Sequence, residues 1–382
     1  MTALTGAPRR RALAREWVSS VHTILVKELR SRMRGRRAFI VLTVYLAILA
    51  LIAYGVYAVV APSARQAGDF GGFGMGPFGP IVTSPSATIG QWIFILLSLF
   101  QLILVMFIAP AFTAGQISLE REKQTLDLLI STPLRPGAIV VGKLLAALAF
   151  VFLLIVAAIP ITAIVLMYGG ASWDDIIRQQ IVLFAAALGF GAIGLFFSAL
   201  FKRTQAATVL TYCTVLAFTI GTVMVFIFWS VMAGRDEAGF ARQRRAPEQL
   251  MWVNPMVAML DVIAPLDPTG FGGVSSVLAE LRGERLAGGG VMCRGDVCVA
   301  EDGRLIETGV SGFFNGHWWP RFTLTFGALA LLLTLASVRL VIPVGMRFAF
   351  RHRRRRQRAE PAQVVLPGDG GPMIEEVAEP PR

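Results

Sequence analysis

Three stretches of the chain hold residue types at spacings that could do chemistry. Gly137-Ala-Ile-Val-Val-Gly142-Lys143 matches most of a phosphate-binding loop, in which backbone N–H groups cradle phosphates and a lysine reaches the outermost one. The next residue is Leu144, where Mg²⁺ binding needs a serine or threonine hydroxyl, and the interior is apolar and leads into a longer apolar run. Gly189-Phe-Gly191-Ala-Ile-Gly194 has dinucleotide spacing, but it lies inside an apolar run with no strand before it and no acidic residue at the ribose position. Small residues in such a run permit close helix packing. The sequence therefore predicts no ATP site and no bound cofactor in this chain. His22, His317 and His352 are scattered, so they supply neither a catalytic cluster nor a metal site.

The third stretch is the connection GQISLEREKQTLDLLISTPLRPGAIVVGKLL, Gly115 to Leu145. Ser118 is placed to cap a helix, and Glu120 and Glu122 favour the positive end of its dipole. Glu120 with Lys123, and Lys123 with Asp127, stand at helical pair spacing. Leu119, Leu126, Leu129 and Ile130 give an apolar side. Pro133 biases Thr132 away from helical geometry. The pattern predicts a short amphipathic helix near residues 118–131 with a charged face, tied to the apolar runs on both sides, so that a push on it would move both. The other reading is a solvated connector whose charges only orient its neighbours.

What positions this connection is a set of membrane spans. The chain has 382 residues, 55% of them apolar and 16% charged, with mean hydropathy +0.64. A soluble chain is about one quarter charged. This composition excludes a soluble enzyme, a disordered protein and a disulfide-rich secreted domain. Crossing the hydrocarbon takes about 20 apolar residues, and six runs qualify: Ala38–Val60, Trp92–Phe112, Leu144–Tyr168, Ile181–Phe201, Ala206–Trp229 and Phe322–Val344. The fold class expected is an all-α polytopic membrane protein with six transmembrane helices. None of the six runs contains Asp or Glu. Ion-coupled carriers keep ionisable groups at membrane depth, so the driving energy is expected from elsewhere.

Charge sets the orientation. With both termini in the cytoplasm, the inner segments (Arg339 counted with them) hold 25 Lys+Arg and 10 Asp+Glu, and the outer ones 11 and 14. That asymmetry follows the positive-inside rule. Trp92, Trp229, Trp318 and Trp319 then fall at outer ends, where interfacial rings anchor. The basic run at Arg351–Arg358 reads as an orientation signal and lipid-headgroup contact; no aromatic stacking residues accompany it, so no nucleic-acid partner is expected. The first apolar run is too long for a signal peptide, although Arg36-Arg37-Ala38-Phe39 mimics a twin-arginine signal.

The domain plan is a cytoplasmic segment 1–37 with an amphipathic interfacial helix over 13–33, spans one to five within 38–229, an extracytoplasmic loop 230–321, the sixth span at 322–344, and a basic then disordered cytoplasmic tail 345–382. Within the outer loop, 249–266 is apolar enough to lie at or dip into the interface, while Asn254-Pro255, Asp261 and Pro265 argue against a seventh span. Cys293 and Cys298, flanked by Gly and Asp, suit a local disulfide in an oxidising compartment. A zinc site would need more ligands than His317 adds. Cys213 reads as a packing residue in the fifth span.

Glu120-Arg121-Glu122-Lys123, Thr125-Leu126, Thr132-Pro133 and Gly142-Lys143 resemble the signature of ABC-2 type transporter permeases. So do Val26-Lys27-Glu28-Leu29-Arg30, Ser198, Lys202-Arg203 and Ala206-Ala207. Gln124 departs from the family, which often has Gly there; as a good helix former, Gln is expected to be harmless at that position. The resemblance implies six spans, dimers of two copies or paralogues, and two cytoplasmic ATPase subunits that supply ATP and Mg²⁺ chemistry. It implies that the connection after span two is a coupling helix, in which Glu120, Arg121, Glu122, Lys123 and Thr125 contact the ATPase and Leu126 and Leu129 pack beneath. The function so implied is ATP-driven export across a bacterial plasma membrane. The alternatives are a non-transporting membrane scaffold of the same fold and an ion-coupled secondary transporter.

Overall fold

A computed structural model describes residues 26, 36–69, 75–76, 79–80, 85–125, 136–233, 248–266, 292–294, 297–299, 305–307 and 317–341. The chain divides into a unit over Met1–Val341 and a second over Ile342–Arg382. The second unit, with the basic tail, lies outside the described residues, as does nearly all of the amphipathic segment 13–33.

The described elements are α1 (Arg36–Asp69), α2 (Pro85–Thr113), α3 (Ser118–Glu122), α4 (Pro136–Ala157), α5 (Ile159–Tyr168), α6 (Trp173–Leu200), α7 (Thr204–Leu216), α8 (Thr222–Ala233), α9 (Pro255–Ile263) and α10 (Trp318–Val341). A single π-helical turn, Ala217–Gly221, joins α7 to α8. Among the described residues, six helical stretches are long and apolar enough to cross a membrane: Phe39–Pro62, Ser86–Glu122, Gly137–Tyr168, Trp173–Leu200, Thr204–Trp229 and Trp318–Val341. Among the described residues, five strands of two or three residues occur in the connections. β1 (Met75–Gly76) pairs with β2 (Gly79–Pro80), and β3 (Met292–Arg294), β4 (Val297–Val299) and β5 (Leu305–Glu307) form an antiparallel sheet whose register sets Cys293 opposite Cys298.

Several helices start earlier than the apolar runs do. The fourth begins at Trp173, not Ile181, because Ser172 and Asp175 form a capping box: the Ser172 hydroxyl accepts from the Asp175 N–H at 3.3 Å, and Asp175 Oδ2 accepts from the Ser172 N–H at 2.9 Å. That adds a polar first turn, with Asp174 paired to Arg178 one turn on. The third span starts at Pro136, which suits a first helical position. It breaks at Ala158, two residues before Pro160, which has no N–H to give.

α6 is the axis of the bundle and packs on α2, α4, α5, α7, α9 and α10. Its apolar window is 72% buried, against 11% for that of α1. The glycine triplet in α6 serves this packing. A Cβ on Gly189 would collide with the Phe326 ring, one on Gly194 with the Thr113 hydroxyl, and one on Gly191 would stand 2.8 Å from Leu148. At the opposite end of α2 and α6, Gly90 and Gly170 bring backbone against backbone, with 3.1 Å left between a Gly90 Cβ and Gly170 Cα.

The segment 248–266 is no seventh span. It is a 3₁₀ turn (Glu248–Val253) followed by α9, and both pack on α10. Asn254 caps α9, accepting from Met256 and Val257 N–H groups at 2.8 and 3.3 Å. Its amide also donates to the Thr219 carbonyl and the Thr222 hydroxyl, both at 2.8 Å, within and beside the π turn. Asp261 is buried and caps α10, accepting from the Trp318 and Trp319 N–H groups at 2.6 and 3.1 Å. Two expectations change as a result. Trp318 and Trp319 are buried, not interfacial anchors, because this segment packs on the start of their helix. Cys213 is exposed on the face of α7, not packed in the core.

Candidate coupling site

α2 ends at Thr113, and a turn closed by the Ala114 N–H to the Pro110 carbonyl (2.9 Å) redirects the chain into α3. The residue before α3 is Ile117, which has no side chain able to cap it. The cap comes from another helix. Ser198 Oγ, near the end of α6, accepts from the Ile117 N–H at 2.9 Å and the Ser118 N–H at 3.0 Å. Ser118, expected to cap the helix itself, is buried with its hydroxyl 3.2 Å from that of Ser198. The reason is geometric. Ser118 already lies inside the first turn, and the helix start is buried against α6, where its orphan N–H groups must find protein partners.

The next two contacts tie α3 to the third and fifth spans. Lys143 Nζ donates to Glu120 Oε1 at 2.6 Å. The lysine side chain is 7% exposed and the glutamate 26%. The near-miss phosphate loop is therefore about two continuous turns of α4, and its lysine holds a carboxylate of this chain. Glu120 thus turns to Lys143 and not to Lys123. Glu122 Oε1 accepts from the Thr204 N–H at 2.7 Å, the first residue of α7. Arg203, preceding α7, makes no side-chain cap, so Glu122 supplies both the acceptor and the negative charge that this helix start lacks. Gly115 fits close by, where a Cβ would stand 3.3 Å from Thr204 Cγ2.

α3 ends after five residues in a Schellman motif. The Gln124 N–H reaches the Arg121 carbonyl at 3.1 Å and the Thr125 N–H the Glu120 carbonyl at 3.0 Å. Gln124 has φ +57°, the left-handed conformation that glycine prefers. The helix expected to run unbroken over 118–131 is therefore interrupted here, and Gln124 is not the neutral replacement expected of an interior helix position. Leu126 and Leu129 lie outside the described residues.

Of the expected site residues, Glu120 and Glu122 are engaged by the bundle, and Arg121 is half-buried. Lys123, Gln124 and Thr125 are exposed, and so is Leu119. Sequence reading did not assign roles to Ser198, Lys143 and Thr204 as the partners of α3. The signal available was indirect: a helix start with no capping residue of its own must borrow one.

Among the described residues no group of three or more His, Cys, Asp or Glu side chains could hold a metal ion. No curated protein matches the chain. The family model described as "ABC-2 family transporter protein" matches residues 22–340. That span takes in the six apolar helices, save the last residue of the sixth, together with α3 and its three partners. The chain belongs to the ABC-2 family of transporter proteins and is its multi-pass membrane transport component.

Proposed function

We propose that this chain is the permease subunit of an ATP-driven exporter in a bacterial plasma membrane, with both termini and α3 on the cytoplasmic side. Two copies, or this chain and a paralogue, pair within the lipid and recruit two cytoplasmic ATPase subunits, which bind ATP and Mg²⁺. One observation carries the reading. α3 follows directly from the second span, is hydrogen-bonded to the third, fourth and fifth, and leaves Leu119, Lys123, Gln124 and Thr125 exposed. A partner that displaced this element would act on four spans at once.

The roles divide accordingly. Lys123, Thr125 and Arg121 meet the ATPase, with Leu126 and Leu129 completing the contact. Glu120 and Glu122 transmit its movement to α4 and α7. ATP closure of the partner shifts the bundle only through a difference in contact between its two states. Arg36, Lys123, Lys202 and Arg203 fall at the same end of the alternating helices, as the positive-inside rule requires for a cytoplasmic face.

The experiment is reconstitution of the full chain with the Walker-bearing ATPase that copurifies with it. Replacing Lys123 and Thr125 by Ala should weaken ATPase recruitment. Replacing Glu122 by Ala should leave recruitment intact and uncouple hydrolysis from transport. Unchanged recruitment and coupling in all of these variants rejects the assignment, as does labelling of Lys123→Cys by a membrane-impermeant maleimide from outside intact cells.

A further inference from the structure

A second polar feature lies inside the bundle, away from α3. Gln101 of α2 and Gln179 and Gln180 of α6 have relative exposures of 1%, 0% and 8%. Gln179 Nε2 donates to Gln101 Oε1 at 3.2 Å. The reciprocal bond, Gln101 Nε2 to Gln179 Oε1, is not made: both of those atoms are buried without a partner, and so are both amide atoms of Gln180. The pair makes one of the two bonds of a carboxamide dimer and leaves one donor and one acceptor unmatched.

Its depth and surroundings define what could meet it. Gln101 lies eleven residues past Gly90, the close contact with Gly170, hence about 16 Å along the helix at 1.5 Å per residue. The Ser118–Ser198 contact lies further away at the other end. Leu97 and Leu102 on α2 and Ile176 and Leu183 on α6 are buried at neighbouring turns. Ser98 is satisfied by the Phe94 carbonyl at 2.7 Å. Arg178, the residue before Gln179, is occupied by Asp174 and lies over the Trp319 ring. The buried side chains at the neighbouring turns are thus apolar, and the nearest cation in the chain, Arg178, is already paired. A buried amide group left unmatched costs free energy, more so where no bulk water reaches it. Packing alone would favour Leu or Met at these positions, so the amides are better explained by something they bind.

We propose that Gln101, Gln179 and Gln180 form a binding station within the bundle for an uncharged amphiphile whose head bears hydroxyl or amide groups. One such group can accept from Gln101 Nε2 and donate to Gln179 Oε1, replacing the missing reciprocal bond, while Gln180 takes a second. The inference rests on the reading of the chain as a transport subunit only in naming the amphiphile as cargo; binding itself is testable without the ATPase.

The test uses the full chain in phosphatidylcholine nanodiscs and an octyl glucoside carrying a diazirine next to its head. Irradiation should label peptides holding residues 97–105 and 176–187, and excess plain octyl glucoside should compete. The Gln101→Met/Gln179→Met variant should need about tenfold more probe for equal labelling, the loss expected of two neutral hydrogen bonds. The same tail on a phosphocholine head should not label these peptides. As a folding control, Gln180→Met should melt at or above the wild-type temperature, because it removes unmatched buried amide atoms. Labelling that is equal in the variants, equal for the charged head, or absent from these peptides overturns the proposal and leaves water as the partner of the amides. Failure of the exporter reading would instead appear as recruitment and coupling left unchanged by the Lys123, Thr125 and Glu122 substitutions, with this labelling unaffected.

Discussion

The Glu122 carboxylate accepts the Thr204 backbone N–H at 2.7 Å, so the short helix after the second span caps the fifth span across 82 positions of sequence. Arg203, preceding α7, offers no cap of its own. Glu122→Ala should therefore loosen the first turn of α7, seen as faster amide hydrogen exchange in peptides covering 203–208. Glu122→Gln keeps an oxygen acceptor but loses the charge that favours a helix start, and should fall between the two. Exchange at α7 identical to wild type in Glu122→Ala would show that the cap is dispensable.

The Glu120–Lys143 pair is the stronger anchor, because Lys143 is buried seven residues inside α4. Glu120→Ala takes away the carboxylate that pairs with a buried ammonium group, and we expect a destabilisation of about 2 kcal/mol. Lys143→Met removes the charge and fills the space with a similar chain, so its cost should be smaller. Combining both should recover part of the Glu120→Ala loss. Thermal melts of the four proteins in one detergent give the coupling, and strict additivity would contradict a paired role.

The membrane plan was legible in sequence because long apolar runs admit no other fold in lipid. The expectation that Gly189, Gly191 and Gly194 serve close helix packing also holds, as their contacts with Phe326, Leu148 and Thr113 show. The contacts of α3 were less legible, since they depend on partners 23 to 82 positions away. The same holds for the burial of Trp318 and Trp319. Interfacial placement follows from residue type alone, whereas burial follows from where α9 and Asp261 pack. The Gln101–Gln179 contact had no local signature, because a glutamine in an apolar helix reads alike whether it faces solvent, lipid or another amide.

Cys293 and Cys298 stand directly opposite each other in the β3–β4 ladder. Cross-strand neighbours are close enough in Cα separation for a disulfide. The topology proposed above puts this hairpin outside the cytoplasm, and on that proposal the cysteines should be bonded. Intact mass should rise by two hydrogens on reduction and by two further alkyl groups after trapping. A protein alkylated at both cysteines without reductant refutes the bond.

Gln124 offers a stabilising change. At φ +57° a side chain costs about 1 kcal/mol relative to glycine. Gln124→Gly should raise the melting temperature, while Gln124→Val, branched at Cβ, should lower it. Gln124 is exposed, so a drop in the glycine variant would mean that its side chain makes a compensating interaction in the assembled transporter.

The packing role assigned to the glycine triplet predicts unequal penalties from identical substitutions. At Gly189 the added methyl meets the Phe326 ring, which is itself fixed edge-on against Phe190 at 5.3 Å and Phe218 at 6.2 Å. At Gly191 it meets the branched end of Leu148, which can change rotamer. Gly189→Ala should therefore cost about 1–3 kcal/mol, the range for overpacking a full core, and Gly191→Ala less. Phe326→Leu should rescue Gly189→Ala specifically, since it withdraws the ring edge the methyl strikes. If Gly189→Ala melts like wild type, or Phe326→Leu lowers both backgrounds equally, α6 and α10 are not held at the distance this contact requires.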